Sequence, residues 1–188
     1  MTAGVLELAG SPAPLTAGTY TWSPFQPAVL LDLDDSWTSV NRFEDFFDVE
    51  QDVGSPDVIA VQLATPRAIV GERSVPASAD PGAAIAAWKT NPDLTIVEES
   101  TSLIGGAQGR VVVIENTSGR HAGVMELGPG TLGIDSGRKL WIAGFESGGR
   151  LLVVMVGGSI AKWDAALAAA EPVLESIRLP GLASPGPS

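Results

Sequence analysis

Ser159 lies in Gly157-Gly158-Ser159-Ile160-Ala161, between an apolar run and an amphipathic one. A GxSxG nucleophile elbow presents its serine to an ester in that setting, here with alanine at the last position. A serine nucleophile needs a base, and His121 is the one histidine among 188 residues. His121 sits in Gly119-Arg120-His121, upstream of Ser159, whereas the α/β-hydrolase order places histidine downstream. The long βαβ series of such enzymes is also missing. The simpler reading makes the two glycines a tight exit from strand to helix and His121 a surface residue of a polar turn.

Other chemistry-bearing groups have plain readings too. Asp32-Leu33-Asp34-Asp35 gathers carboxylates of the kind that hold Ca²⁺ or Mg²⁺. Trp37 and Phe43, however, stand where an EF-hand loop needs its glycine and its bidentate glutamate, so a solvated acidic turn is expected. Glu98 and Glu99 point to opposite faces of a strand and make no acid/base pair. Gly105-Gly106-Ala107-Gln108-Gly109 lacks the Lys and Ser/Thr of a phosphate loop and leads into a strand, as a β-turn or bulged hairpin does. With no cysteine, thiolate nucleophiles and Cys-ligated metal or redox centres are excluded, and a single histidine excludes a multi-histidine metal site. Catalysis would have to run on carboxylates, Lys, Tyr20, hydroxyls or His121. No catalytic residue, metal or cofactor is expected.

Aromatic residues concentrate early. Tyr20, Trp22, Phe25, Trp37, Phe43, Phe46 and Phe47 put seven of eleven within 28 residues. They plug one end of the core, or they line a pocket for an apolar or sugar ligand. On the second reading Trp22, Phe25, Trp37 and Phe43 are the ligand- or partner-binding residues. Trp88, Trp141 and Trp163 fall on amphipathic faces and are expected in the core.

The elements that would position these groups follow from composition and period. At 45% hydrophobic and 18% charged the chain is globular. A net charge of −11 argues against nucleic acid and anionic membranes. The longest apolar run, Leu151 to Val156, falls far short of the roughly 20 residues that span a bilayer, so no membrane insertion is expected. Met1 to Leu15 carry no basic cluster ahead of an apolar stretch, so no signal peptide is expected in this chain. Residues 1–17 and the Pro/Gly-rich 180–188 read as flexible segments around one domain, 18–179.

Within that domain, Val58 to Ala64, Leu94 to Ser100, Arg110 to Thr117, Lys139 to Glu146 and Arg150 to Gly157 read as strands. Ser147-Gly148-Gly149 predicts a tight hairpin, and Asn116 to Ala122 a looser one into Val124–Leu127. Val111–Ile114 and Leu151–Val156 do not alternate, which marks strands covered on both faces. Residues 41–51 read as an irregular turn followed by a strand. A helix over about 81–90 is capped by Asp80 and opened by Pro81. A second, over 164–177, is capped by Asp164 and presents a stripe of Trp163, Leu167, Ala170, Leu174 and Ile177, with Pro172 beside the wet face. The expected class is α+β, with helices on a mostly antiparallel sheet.

Several of these segments resemble a family. Asp80-Pro81 through Trp88, Asn91-Pro92-Asp93-Leu94-Thr95-Ile96 and Gly105-Gly106-x-x-Gly109-Arg110 are similar to bacterial secreted proteins and lipoproteins related to the PsbP-like αβα sandwich. So are Ala17-Gly18-Thr19-Tyr20, Phe25-x-Pro27 and Glu171 through Leu179; together they span residues 17–179. The resemblance implies an antiparallel sheet with helices on both faces and a cell-envelope protein, often tethered, of a high-GC bacterium. It carries no catalytic motif. The expected function is a non-enzymatic binding or accessory domain outside the cytoplasm, meeting a protein partner or a small apolar or sugar ligand. The alternatives are a small serine hydrolase using Ser159 with His121 and a structural interaction domain of a larger polypeptide.

Overall fold

Ser147 and Arg150 face each other across Gly148-Gly149, whose φ angles of 58° and 78° form the mirror-image turn that suits strand twist. Gly105-Gly106, at 59° and 81°, does the same between Ile104 and Ala107. These turns build half of the main sheet.

The computed structural model describes residues 4–8 and 12–180. Its first strands are β1 (Leu6–Glu7), β2 (Ala13–Pro14), β3 (Gly18–Thr21), β4 (Leu31–Leu33) and β5 (Thr38–Arg42). Next come β6 (Phe46–Gln51), β7 (Ile59–Ala64), β8 (Ala68–Val70), β9 (Ser74–Pro76) and helix α1 (Pro81–Trp88). The second half holds β10 (Thr95–Ile104), β11 (Ala107–Asn116), β12 (Ala122–Leu127), β13 (Gly130–Ile134), β14 (Arg138–Ser147) and β15 (Arg150–Ser159). A 3₁₀ turn at Ile160–Lys162 leads into α2 (Trp163–Ser176).

The central sheet has eight strands in the order β10-β11-β14-β15-β7-β6-β5-β2, each pairing antiparallel. Alternate residues feed two separate cores. Leu152, Val154 and Val156 of β15 join Phe47, Val61 and Ala143 on one face. Leu151, Val153 and Met155 join Ile142, Ile114 and Ala64 on the other. The non-alternating apolar runs thus mark strands covered on both sides.

Neither cover is a helical layer alone. One face is closed by α2 with a small sheet, β1-β3-β4, that supplies Tyr20, Leu31 and Leu33. The other is closed by α1 with a four-stranded sheet, β13-β12-β8-β9, that supplies Val124, Met125, Ile69 and Ile134. Size explains this. The 8 residues of α1 reach about 12 Å, whereas a ten-residue strand runs about 33 Å, so one short helix cannot blanket it. The class is α+β with a mostly antiparallel sheet.

Four local expectations are corrected. Asn116 to Val124 is not a hairpin: β11 already has β10 and β14 on its two sides, so β12 pairs with β13 and β8 instead. The buried Asn116 secures that departure, its amide donating to the Arg120 and Ile134 carbonyls at 2.7 Å each. Asp164 does not cap α2; the helix starts at Trp163, and Asp164 lies in its first turn, where the helix dipole favours an anion. The buried stripe runs Trp163, Ala166, Ala170 and Val173, with Leu167 and Leu174 only half-buried at its border. Small Ala166 faces the sheet because α2 sits so near Gly158 that no Cβ fits there. Finally, the described part of 1–17 is tied down: β2 pairs with β5, β1 runs parallel to β3, and Leu8 and Leu15 are buried in the core. Of the predicted tail 180–188, residues 181–188 lie outside the described residues.

α1 keeps its expected cap, with the Asp80 carboxylate accepting from Gly82 N at 2.8 Å. Its Trp88 is buried and donates Nε1–H to the Val124 carbonyl at 2.8 Å, locking helix to β12.

Candidate functional site

The aromatic cluster divides into core and surface. Phe25 is fully buried edge-on against Phe47, with centroids 5.1 Å apart, and Trp37 is 2% exposed in the same core. Neither offers a surface to a ligand, because the loops that carry them, between β3 and β4 and between β4 and β5, fold both rings into the core. Trp22 is half-buried and donates Nε1–H to the Phe43 carbonyl at 2.8 Å, while the Arg42 guanidinium lies 5.3 Å from its ring centroid. The Phe43 ring is exposed and stacks on Phe46 at 6.5 Å. Trp22 and Phe43 therefore form one small surface patch, and no cavity described for the molecule is lined by them.

A polar groove of about 570 Å³ opens elsewhere, on the α1 side of the central sheet, where α1 and the four-stranded sheet leave the strand ends uncovered. Its floor comes from side chains of one parity: Glu50 of β6, Gln62 of β7, Arg138 and Leu140 of β14, Gly157 and Ser159 of β15. The register sets them side by side, with Arg138 opposite Ser159 and Ala60 opposite both Glu50 and Gly157. The turn Asp135-Ser136-Gly137 and the loop at Ser55 to Val58 form the walls. Arg138 braces one wall, donating to the Pro56 and Val58 carbonyls at 3.2 and 2.7 Å.

The floor is electrostatically tuned. Asp48, beside Glu50 on β6, is 1% exposed, and burial pushes its carboxyl above the ordinary range. Asn41 opposes this, donating its backbone N–H and side-chain amide at 2.7 and 2.9 Å. Glu50 is also raised, first by burial and then by the nearby Asp48 charge, with Arg138 pulling the other way. A half-buried carboxylate that a further cation or donor would relieve thus faces the groove.

Ser159 and Asp135 meet at this groove, a juxtaposition not foreseen from sequence. His121 Nδ1 lies 2.8 Å from Asp135 Oδ1 on the exposed rim. None of the hydrogen bonds among the described residues joins Ser159 Oγ to His121. Nor is Ser159 on an elbow: β15 runs on through it in register with β14, and its backbone is ordinary extended chain, φ −68° and ψ 139°. The paired glycines have a packing role, since a Cβ on Gly158 would strike Ala166 and one on Gly157 would crowd Leu140. The acidic turn is similarly accounted for. Asp32 accepts from Thr19 Oγ1 at 2.6 Å and Arg178 at 2.8 Å, and Asp34 caps Ser36 N at 2.9 Å. Those bonds hold both carboxyls below their usual range, the Thr19 hydroxyl dominating for Asp32 and the Ser36 hydroxyl for Asp34.

Glu50 and Gln62 were missed because strand parity, their only sequence signal, is uninformative until the opposing cover is known.

No protein-family model and no curated protein sequence matches the chain. Among solved structures it is similar to the PsbP protein (CyanoP) of Synechocystis sp. PCC 6803, at 10% identity over 91% of this chain and 96% of that one, TM-score 0.48. It is similar to LpqN of Mycobacterium tuberculosis, described as involved in cell-envelope biogenesis, at 11% identity over 92% and 87%, TM-score 0.45. A Bacteroides thetaiotaomicron protein is similar at 9% identity over 80% of this chain and 44% of its own, TM-score 0.36. The neighbours thus include a PsbP protein, of the family that the sequence motifs resemble.

Proposed function

We propose that the protein is a non-enzymatic binding domain working outside the cytoplasm, and that the polar groove holds a small ligand rich in hydroxyl groups. The groove itself carries this reading: about 570 Å³, braced by Arg138, with Glu50, Gln62, Asp135 and Ser159 turned into it. Arg138, the Ser159 hydroxyl, the Gln62 amide and the Glu50 carboxylate supply both donors and acceptors, which suits hydroxyls that do both. The extracytoplasmic placement rests on the motif resemblance over residues 17–179.

Native mass spectrometry of the purified chain, followed by calorimetric titration with hexoses and inositols, tests the reading. Binding that Gln62→Leu and Glu50→Gln each weaken, with the fold intact by circular dichroism, is the expected result. Binding untouched by both variants, or none from either method, overturns it.

The serine-hydrolase reading keeps one observation in its favour: Asp135, the partner of His121, lines the same groove as Ser159. Fluorophosphonate labelling that maps to Ser159 and vanishes in Ser159→Ala would replace the binding reading with that one.

A further inference from the structure

β10 ends the central sheet: one side pairs with β11, and the other meets no strand among the described residues. Seven of its ten residues are exposed, Leu103 to 68%. Folds usually shield such an edge, since its free N–H and C=O groups invite another strand. Here a bulge between Ile96 and Glu98 disturbs only the start, and Glu98 to Ile104 stays in unbroken register.

A second feature adjoins this edge. A cleft of about 270 Å³ runs between the end of β10 and α2, with Trp141, Ile104 and Leu174 as apolar lining. Glu171 and Glu175 stand on its α2 rim, one helical turn apart and both exposed. Neither they nor Glu98, which shares the sheet face of Ser102, belongs to any ion pair among the described residues. Glu99, on the opposite face, is matched by Lys89 at 2.6 Å.

We propose that β10 accepts a basic, extended peptide segment as an added strand, with a lysine or arginine of that segment entering the Trp141 cleft. An indole and a leucine side chain cover the aliphatic stem of such a residue, and the two glutamates receive its cationic head. Main-chain pairing along the edge supplies affinity, and alternate side chains supply the choice of partner. A segment with basic residues at every second position would turn them all toward Glu98, Glu171 and Glu175. A net charge of −11 on each copy favours this occupant over a second copy of the chain.

The probe is a fluorescein-labelled peptide of alternating lysine and threonine, about as long as β10, titrated into the full chain by anisotropy. Binding is expected together with amide-exchange protection confined to residues 95–104. The exposed-site double variant E171Q/E175Q should weaken it about fivefold to tenfold. N-methylation of alternate peptide nitrogens should abolish most of it, because strand addition needs those donors. Equal binding by the methylated peptide, protection elsewhere, or no binding overturns the proposal. Dimerisation of the chain through 95–104 would make a second copy the occupant and overturn it as well.

Discussion

Gly158→Ala tests how closely α2 is seated on the central sheet. A Cβ at Gly158 would fall 2.7 Å from the Ala166 Cβ. That is about 1 Å inside ordinary carbon contact. Neither atom can rotate away, so helix or strand must move, and α2 carries Trp163, Ala170 and Val173 with it. Overpacking of this kind costs about 1–3 kcal/mol, and we expect about 2. Ala166→Gly alone should cost about 2 kcal/mol, from about 1 for glycine in a helix and about 0.8 for the lost buried methyl. Independent effects would sum to about 4 kcal/mol in the double variant. If the clash is the cause, the double variant costs about 1 kcal/mol, because the new methyl takes the place of the Ala166 one and only the cost of glycine in a helix remains. Urea midpoints of the four proteins measure the cycle. Additivity within about 0.5 kcal/mol, or an unperturbed Gly158→Ala, would refute the close-seating argument.

Two further outcomes follow from buried polar groups. Asn116→Ala strands the Arg120 and Ile134 carbonyls and frees the Ser118 N–H and hydroxyl that Asn116 Oδ1 accepts at 2.9 and 2.7 Å. A loss of about 3 kcal/mol by urea denaturation is expected, and less than about 1 would show that the crossover into β12 does not depend on it. The raised pKa of Glu50 means that the folded state holds its proton more tightly than the unfolded chain. Its contribution is therefore intact below the ordinary value of 4.5 and is lost as pH rises through the raised folded value. Glu50→Gln should gain stability on the parent over that rise, and parallel pH profiles for the two proteins would contradict the assignment.

Strands that feed both cores were legible because Leu151 to Val156 is apolar at every position, and α1 was legible from Asp80-Pro81 and Asn91-Pro92. The small sheets were not. β4 and β8 have three residues each, too few to show a period, and they are strands because Leu31 and Ile69 find a neighbouring cover to pack under. Leu8 and Leu15 looked like parts of a tether since small residues and prolines surround them; only the three-dimensional context reveals that the core claims them. The groove was illegible for a related reason. Glu50, Gln62 and Ser159 come from three strands; Glu50 and Gln62 each read as an ordinary polar residue on a strand, and the motif around Ser159 points to neither of them. What joins them is the β6-β7-β15 register, in which Ala64 meets Val153.

That same pairing constrains the order in which the domain can close. β5, β6 and β7 emerge early, yet the neighbour of β7 is β15, close to the end of the domain. The N-terminal hairpins must therefore wait, with the flank of β7 open, until the last strand of the domain is available. Such long-range closure slows folding into the range of milliseconds to seconds. It also leaves Val61 and Leu63 uncovered in the nascent chain, where they are targets for a holdase. A truncation that stops before Arg150 would leave that flank open, so it would not give a smaller stable domain.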